Sequence, residues 1–152
     1  MPDSPEYSGR FGYPSYRWIG CHPDKAQLDY AKMAAESVRL FMIEKKEAAD
    51  HIEEICRIPG VDMIQFGPSD YSMSCGRNAA DPDWKECRLE AERHCIRVSL
   101  EHGVQPRCEI GCPEEAQYYI DLGVKHFCLG DQVKILRSWW SDNGNKLKNM
   151  LE

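Results

Sequence analysis

Four short apolar segments constrain the fold of this chain more than any other feature. They are rich in β-branched and aromatic residues, are bounded by turn signals, and span residues 38–43, 61–66, 104–110 and 124–129. Such runs are typical of buried parallel strands. Segments with apolar residues at three- and four-residue spacing lie between them. The pattern therefore predicts an α/β fold in which strands and helices alternate around a parallel sheet with right-handed crossovers.

The helical segments and loops follow from the same periodicity. Five helices are predicted, near residues 24–36, 46–57, 83–102, 113–122 and 131–141. A loop containing Gly67, Pro68, Gly76 and Pro82 is predicted between the second strand and the third helix. Residues 1–22 are irregular and rich in aromatic side chains, and residues 23–152 carry the repeats. We expect all 152 residues to form a single domain.

Charge and hydropathy exclude several classes of protein. The net charge is −6 and the isoelectric point is near 5.4, and there is no dense stripe of Lys and Arg, which argues against a nucleic-acid partner. No apolar stretch approaches the roughly 20 residues that span a bilayer. The N-terminus lacks the basic and apolar regions of a signal peptide. We therefore expect a soluble cytoplasmic protein with no membrane partner.

The chain has eight cysteines, for which three interpretations are possible. A disulfide framework is disfavoured because there is no secretion signal and the chain has ample apolar residues for a core. A zinc site would need a second close pair beside Cys108 and Cys112. The remaining interpretation is that most are small buried apolar residues, with Cys87 and Cys95 on one helix face and Cys128 in a strand.

Two acidic residues follow the first two strands. Glu44 closes the apolar run 38–43, and Asp70 follows the run 61–66 after a Gly-Pro-Ser turn. Carboxylates at the carboxyl ends of successive parallel strands lie at one shared mouth, where α/β enzymes place their chemistry. Two such oxygen donors suit Mg²⁺ or Mn²⁺. The alternatives are that Glu44 simply caps the following helix, a place that acidic residues favour, and that Asp70 is an ordinary turn residue.

Several other residues could belong to the site or to a contact surface, but each also has a simpler structural interpretation. Glu109 also lies at a strand end, where it could support the site or pair with Arg107. Asp131 could simply cap the last helix. Trp139 and Trp140 are interpreted as packing residues, with a subunit contact as one option.

Longer stretches resemble a known family. They are FMIEKKEA at 41–48, IPGVDMIQFGPSDYS at 58–72, QPRCEIG at 105–111 and HFCLG at 126–130. Together they resemble the HpcH/HpaI aldolases, metal-dependent class II aldolases of 4-hydroxy-2-oxo acids, over roughly residues 26–142.

The resemblance implies a TIM (β/α)8 barrel and a metal-dependent lyase. Glu44 and Asp70 would be the protein ligands of Mg²⁺ or Mn²⁺, and the metal would hold a small-molecule 2-oxo acid such as pyruvate. The reaction implied is cleavage of a 4-hydroxy-2-oxo acid to pyruvate and an aldehyde. The substrate-binding residues implied are Met42, Gly67, Pro68, Ser69, Asp70 and Leu129.

The chain departs from the family pattern in two ways. A complete barrel takes about 250 residues and eight strands, so four strands correspond to its C-terminal half. The family's base histidine and substrate-binding arginine belong to the other half, and no catalytic residue is assigned here. Met42 stands where better-known members have a glutamine. A non-catalytic paralogue or fragment is therefore an alternative, as is a citryl-lyase-like enzyme acting on CoA thioesters, although no basic cluster suits the CoA phosphates.

A half barrel predicts self-association. The strands at 38–43 and 124–129 would be open edges without proline, and the inner face would be bare. We expect the side chains of Leu40, Met42, Ile64 and Phe66 to line that face. The predicted result is a homo-oligomer that uses edge pairing or the tail 139–151.

Overall fold

The computed structural model describes residues 4–10, 12–13 and 26–151. Contacts divide the chain into two compact units, residues 1–38 and 39–152. The assignment of residues 1–152 to one domain stays a prediction. Most of the aromatic segment predicted at 1–22 lies outside the described residues.

The first unit contains one described helix. Helix α1 spans Gln27–Glu36, which agrees with the predicted helix at 24–36 in its described part. The rings of Tyr13 and Tyr30 pack edge to face with centroids 5.5 Å apart. The helix is followed by Ser37, whose hydroxyl donates to the Met33 carbonyl at 2.8 Å.

The second unit is built on a parallel sheet of four strands in the order β1-β2-β3-β4, as predicted. Each strand is shorter than its apolar run by one or two residues. They are β1 Leu40–Ile43, β2 Met63–Phe66, β3 Gln105–Ile110 and β4 His126–Leu129.

The helices of this unit confirm part of the prediction and correct the rest. They are α2 Lys46–Asp50, α3 Ile52–Cys56, α4 Pro68–Ser74, α5 Lys85–Glu101, a 3₁₀ turn at Pro113–Glu115, α6 Ala116–Asp121 and α7 Gln132–Leu151. The predicted helix at 46–57 is broken at His51, whose ψ of 22° leaves the helical region. Helix α7 continues through the predicted tail and through Gly144, although a glycine in a helix interior is unfavourable.

The loop predicted after β2 is wrong over its first half. Helix α4 begins at Pro68, which occupies the first helical position, where a missing N–H does no harm and φ is already suitable. The sequence pattern places Pro68 in a loop together with Gly67, Gly76 and Pro82. The helix matters for function because Asp70 lies in its first turn.

The apolar core lies on one face of the sheet. Ile43, Ile64 and Phe66 are buried there with residues of α3 and α5, among them Ile52 and Cys95. This corrects the expectation that Ile64 and Phe66 line the bare inner face of the half barrel. A smaller cluster joins Ile96, Cys108 and Val124, with Leu122 and Phe127 packed against it.

The opposite face, called the inner face below, is more polar than predicted. Strand register places Met42 beside Gln65, and Glu109 beside Cys128. Strands β2 and β3 are paired at Met63–Gln105 and Ile64–Pro106. Because Pro106 has no N–H to donate, it interrupts the ladder in a central strand.

The seven described cysteines are free thiols. Cys95 and Cys108 are buried, as the interpretation as small apolar residues expects, and burial raises the pKa of each to about 12. Cys87 is exposed, so its predicted place on the apolar face of α5 is wrong. Within the described ranges, no helix has the length and apolar character needed to cross a membrane.

Candidate metal and substrate site

Glu44 lies directly after β1, next to the turn that follows β2. The Gly67 amide donates to the Ile43 carbonyl at 2.9 Å, which continues the β1–β2 ladder by one residue. A Cβ placed on Gly67 would lie 2.8 Å from the Glu44 Cβ and 3.2 Å from the Met42 Sδ. Gly67 therefore provides the space that Glu44 and Met42 occupy.

Asp70 is positioned by a short, well-anchored helix. It lies in the first turn of α4, after Pro68 at the first helical position. Ser72 is fully buried, and its hydroxyl donates to the Pro68 carbonyl at 2.7 Å and accepts from the Trp84 indole N–H at 2.9 Å. These bonds fix the start of α4, and with it the position of Asp70.

A cavity of about 540 Å³ lies at the carboxyl ends of β2 and β3. Its lining includes most of the residues for which the family resemblance implies substrate binding: Met42, Gly67, Pro68, Ser69 and Asp70. Glu44 and Leu129 are not among its described lining residues. Leu129 pairs in register with the buried Ile110, on the side of the sheet that faces the helices, and is itself exposed.

Glu109 and its pairing with Arg107 were named from the sequence as alternatives, but Gln65, which joins them in a polar group on the inner face, was missed. The Gln65 amide nitrogen donates to Glu109 Oε1 at 2.9 Å, and Arg107 Nη2 lies 4.0 Å from the same oxygen. This bridge joins β2 and β3 beyond the point where Pro106 ends their ladder. The signal was present, because Gln65 interrupts an otherwise apolar strand, and Arg107 and Glu109 alternate with buried residues.

The cavity also reaches the helix layer, where a second polar group lies. Arg88 and Glu92 of α5 and Tyr119 of α6 line it. Glu92 is 6% exposed, and its carboxylate accepts a hydrogen bond from the Tyr119 hydroxyl at 3.3 Å. Burial raises the pKa of Glu92, and burial together with the nearby Glu92 charge raises the pKa of Tyr119.

The charged lining is acidic on balance. Its carboxylates are Asp70, Glu92, Glu109, Glu115 and Asp131, and its basic groups are Arg88, Arg107 and Lys134. One of these carboxylates has a structural role. Asp131 caps α7, because its carboxylate accepts from the Lys134 amide at 2.8 Å, which confirms that alternative for Asp131.

The donor set suits a hard divalent cation bound by few protein ligands. Among the described residues there is no group of three or more His, Cys, Asp or Glu that could hold a metal, so Cys108 and Cys112 gain no support as a zinc site. Glu44 follows β1 beside Gly67, and Asp70 lines the cavity three residues after Gly67. Two carboxylates leave coordination positions open for water and for oxygen atoms of a substrate.

The topology and the position of the cavity define the class of fold. Four parallel βα units with a polar cavity at the carboxyl ends of the strands make up about half of a (β/α)8 barrel, in which active sites lie at that end. The HpcH/HpaI aldolase from Desulfitobacterium hafniense shares this fold, with a TM-score of 0.69 at 19% identity over 93% of this chain and 54% of that one.

The family follows from the sequence comparison. The family model described as HpcH/HpaI aldolase/citrate lyase matches residues 12–126, and the chain belongs to this family. A hydroxypyruvate/pyruvate aldolase of Delftia acidovorans is 33% identical over 112 residues, which cover 72% of this chain and 40% of the relative. A 2-dehydro-3,6-dideoxy-6-sulfogluconate aldolase of Pseudomonas putida is 30% identical over 112 residues, 72% of this chain and 42% of the relative. The chain thus spans about two fifths of the length of these relatives.

Proposed function

We propose that this chain supplies the metal- and substrate-binding half of a class II aldolase, with Glu44 and Asp70 as ligands of Mg²⁺ or Mn²⁺. The observation that carries the proposal is the geometry around Gly67. Its missing side chain makes room for Glu44, and three residues later Asp70 lines the cavity at the same mouth of the sheet.

The reaction proposed is cleavage of a 4-hydroxy-2-oxo acid into pyruvate and an aldehyde. When bound, the divalent metal supplies positive charge that stabilises the negative charge developing on the pyruvate half. The backbone N–H groups around Ser69 and Asp70 bind the carboxylate of the 2-oxo acid. Met42 provides an apolar wall beside it. Leu129 is left out of this set because it does not line the cavity.

A general base is not assigned. The described lining of the cavity includes no histidine, the residue whose ordinary pKa best suits proton transfer near neutral pH. Since the chain spans about two fifths of its relatives, we assign the proton transfer at the 4-hydroxyl group to residues outside this chain.

The citryl-lyase-like alternative has less support. A CoA thioester carries several phosphate charges, and the cavity has more carboxylates than basic groups. A non-catalytic role is the second alternative, because the proposal assigns no base. The two can be told apart by measurement, because an aldolase half would show metal-dependent chemistry on 2-oxo acids and a non-catalytic chain would not.

We also propose that the chain associates with itself through α7. The helix exposes a set of large apolar side chains: Val133, Ile135, Leu136, Trp139, Trp140, Leu147, Met150 and Leu151. Trp139 and Trp140 are 54% and 66% exposed, so the expected packing role is not fulfilled within the described part of one copy. Monomers rarely expose such a large apolar surface.

Decarboxylation of oxaloacetate tests the chemistry of the proposed site, because a chelating metal can promote it without the missing base. The full chain with Mn²⁺ is expected to accelerate loss of oxaloacetate, and Glu44→Gln is expected to reduce that rate by about tenfold or more. Glu47→Gln is the matched control on the exposed surface of α2. Equal rates for the chain and Glu44→Gln would contradict the proposal.

A further inference from the structure

Gln65 has a hydrogen-bonding group that the protein does not use. The side chain lies in β2, is 4% exposed and lines the cavity. Its amide nitrogen donates to Glu109 Oε1 at 2.9 Å. Its Oε1 is buried and accepts no hydrogen bond from any described residue. Since native proteins seldom leave a buried acceptor unpaired, this atom indicates a ligand.

The orientation of the Gln65 amide is fixed by chemistry. An ionised carboxylate only accepts hydrogen bonds, so the amide N–H of Gln65 must face Glu109. The Glu109 side chain is 64% exposed and lies beside Arg107. Because the amide cannot turn around without losing this bond, Oε1 is held facing away from Glu109. Glu109 is therefore a positioning residue for the Gln65 acceptor.

A complementary donor lines the same cavity. The Nε–H of Arg88 is also buried, and no described residue accepts from it. The residues that line the cavity thus include one buried acceptor and one buried donor that have no partner among the described residues. A hydroxyl group both donates and accepts, so a chain that carries hydroxyl groups can satisfy both.

Charge disfavours the alternatives. A carboxylate or sulfonate placed beside Gln65 Oε1 would meet a second acceptor, on a side chain whose N–H already donates to the Glu109 carboxylate. An aliphatic chain would leave Oε1 and the Arg88 Nε–H buried and unpaired, which is unfavourable. Sites that hydrogen-bond a hydroxyl group reject analogues that lack it for this reason.

We infer that Gln65 and Arg88 bind the hydroxyl-bearing carbon chain of an uncharged aldehyde unit, and that Gln65 determines this specificity. The inference rests on the proposed function, since it names the substrate class of the same site. The preferred 2-oxo acids are those with hydroxyl groups beyond C4 and no second charged group.

Titration calorimetry of the full chain with Mn²⁺ tests this with three six-carbon probes. They are 4,5,6-trihydroxy-2-oxohexanoate, 2-oxohexanoate and 2-oxohexanedioate, with pyruvate as the reference ligand. The trihydroxy acid is expected to bind about tenfold more tightly than the other two. In Gln65→Leu this preference should disappear, with each affinity expressed relative to the affinity of the same variant for pyruvate. Gln117→Leu makes the same chemical change on the exposed face of α6 and should keep the preference.

A second variant covers the case in which Gln65→Leu does not fold. Glu109→Gln changes an exposed side chain. The N–H of the new amide can donate to Gln65, so Gln65 can turn its Oε1 toward it. It should therefore lower the preference while the protein stays folded by circular dichroism. Equal binding of the three probes, with pyruvate still bound in the presence of Mn²⁺, would overturn the inference and leave the proposed function standing. Absence of Mn²⁺-dependent pyruvate binding would overturn both.

Discussion

Gly67 is the residue on which the geometry at the end of β1 depends most directly. Its φ of −104° is open to any residue, so the requirement for glycine is one of space and not of backbone conformation. A methyl group there would lie 2.8 Å from the Glu44 Cβ. Glu44, or the turn that carries Asp70, would have to move.

Gly67→Ala is therefore expected to weaken binding of Mn²⁺ in the presence of oxalate by about tenfold or more, because displaced carboxylates lose their common geometry. Calorimetry measures the affinity. Gly144→Ala is the control, since a methyl group there contacts nothing within 4 Å. Unchanged Mn²⁺ affinity in Gly67→Ala would show that Glu44 does not need this space.

Glu92 is a single residue that should make the stability of the folded protein depend on pH. Burial raises its pKa in the folded protein, so ionising it opposes folding. The penalty is absent below the pKa of the unfolded chain, grows as pH rises toward the higher folded pKa, and is complete above it. Stability should fall with rising pH across that window.

In Glu92→Gln this contribution disappears while the bond to Tyr119 can remain. The variant is expected to show a higher melting temperature than the parent at pH 8, and a smaller difference at pH 4. Glu90→Gln, on an exposed position of the same helix, serves as the control. A variant that is less stable than the parent at pH 8 would mean that the Glu92 charge favours folding.

At the scale of elements, a buried hydroxyl contributes to anchoring α4. Ser72 donates to Pro68 and accepts from Trp84, and so joins the first turn of α4 to the segment that leads into α5. Removing it leaves the Trp84 N–H without its acceptor.

Ser72→Ala is expected to lower the free energy of unfolding by about 1–3 kcal/mol, the usual effect of leaving a buried donor unpaired. Urea denaturation measures it, and Ser141→Ala on the exposed surface of α7 is the control. A change no larger than that of the control would show that α4 is anchored by other contacts.

The elements were predictable to different degrees. Periodicity located all four strands and the long helix α5, because both patterns run over enough residues to be distinctive. It missed α4, since a helix of seven residues that begins at a proline has the same local composition as a turn. It also placed Ile64 and Phe66 on the wrong face, because a buried parallel strand is apolar on both sides and its orientation cannot be read from hydropathy.

The site was predictable where a motif carried it. Residues 67–70 and Met42 line the cavity, and their role in binding a substrate stays a prediction. Arg88 and Glu92 could not be assigned from the sequence, because their place at the cavity depends on how α5 and α6 pack against the sheet. Long-range packing of this kind has no local pattern.

At the scale of the whole molecule, the proposed self-association rests on the apolar face of α7 and on the strand edges. Strand β1 exposes both Phe41 and Met42, and α7 exposes Trp139 and Trp140. Burial of this surface at about 25 cal/mol per Å² favours association.

The chain is expected to be larger than a monomer at micromolar concentration by light scattering. The double substitution Trp139→Lys and Trp140→Lys should shift it to a smaller species, because it adds two charges to the proposed contact. Ser138→Lys, which adds one charge on the same helix, should shift it less. A stable monomer across a dilution series would contradict both the half-barrel assembly and the role of α7.

The central claim is that Glu44 and Asp70 hold a divalent metal that binds a 2-oxo acid. Calorimetric titration of Mn²⁺ into the full chain, with oxalate present as a stable analogue of the 2-oxo acid, tests it most directly. The account predicts one site per chain, loss of most of the affinity in Asp70→Ala, and an unchanged affinity in the surface variant Asp142→Ala. Equal Mn²⁺ binding by the parent chain and Asp70→Ala would contradict it.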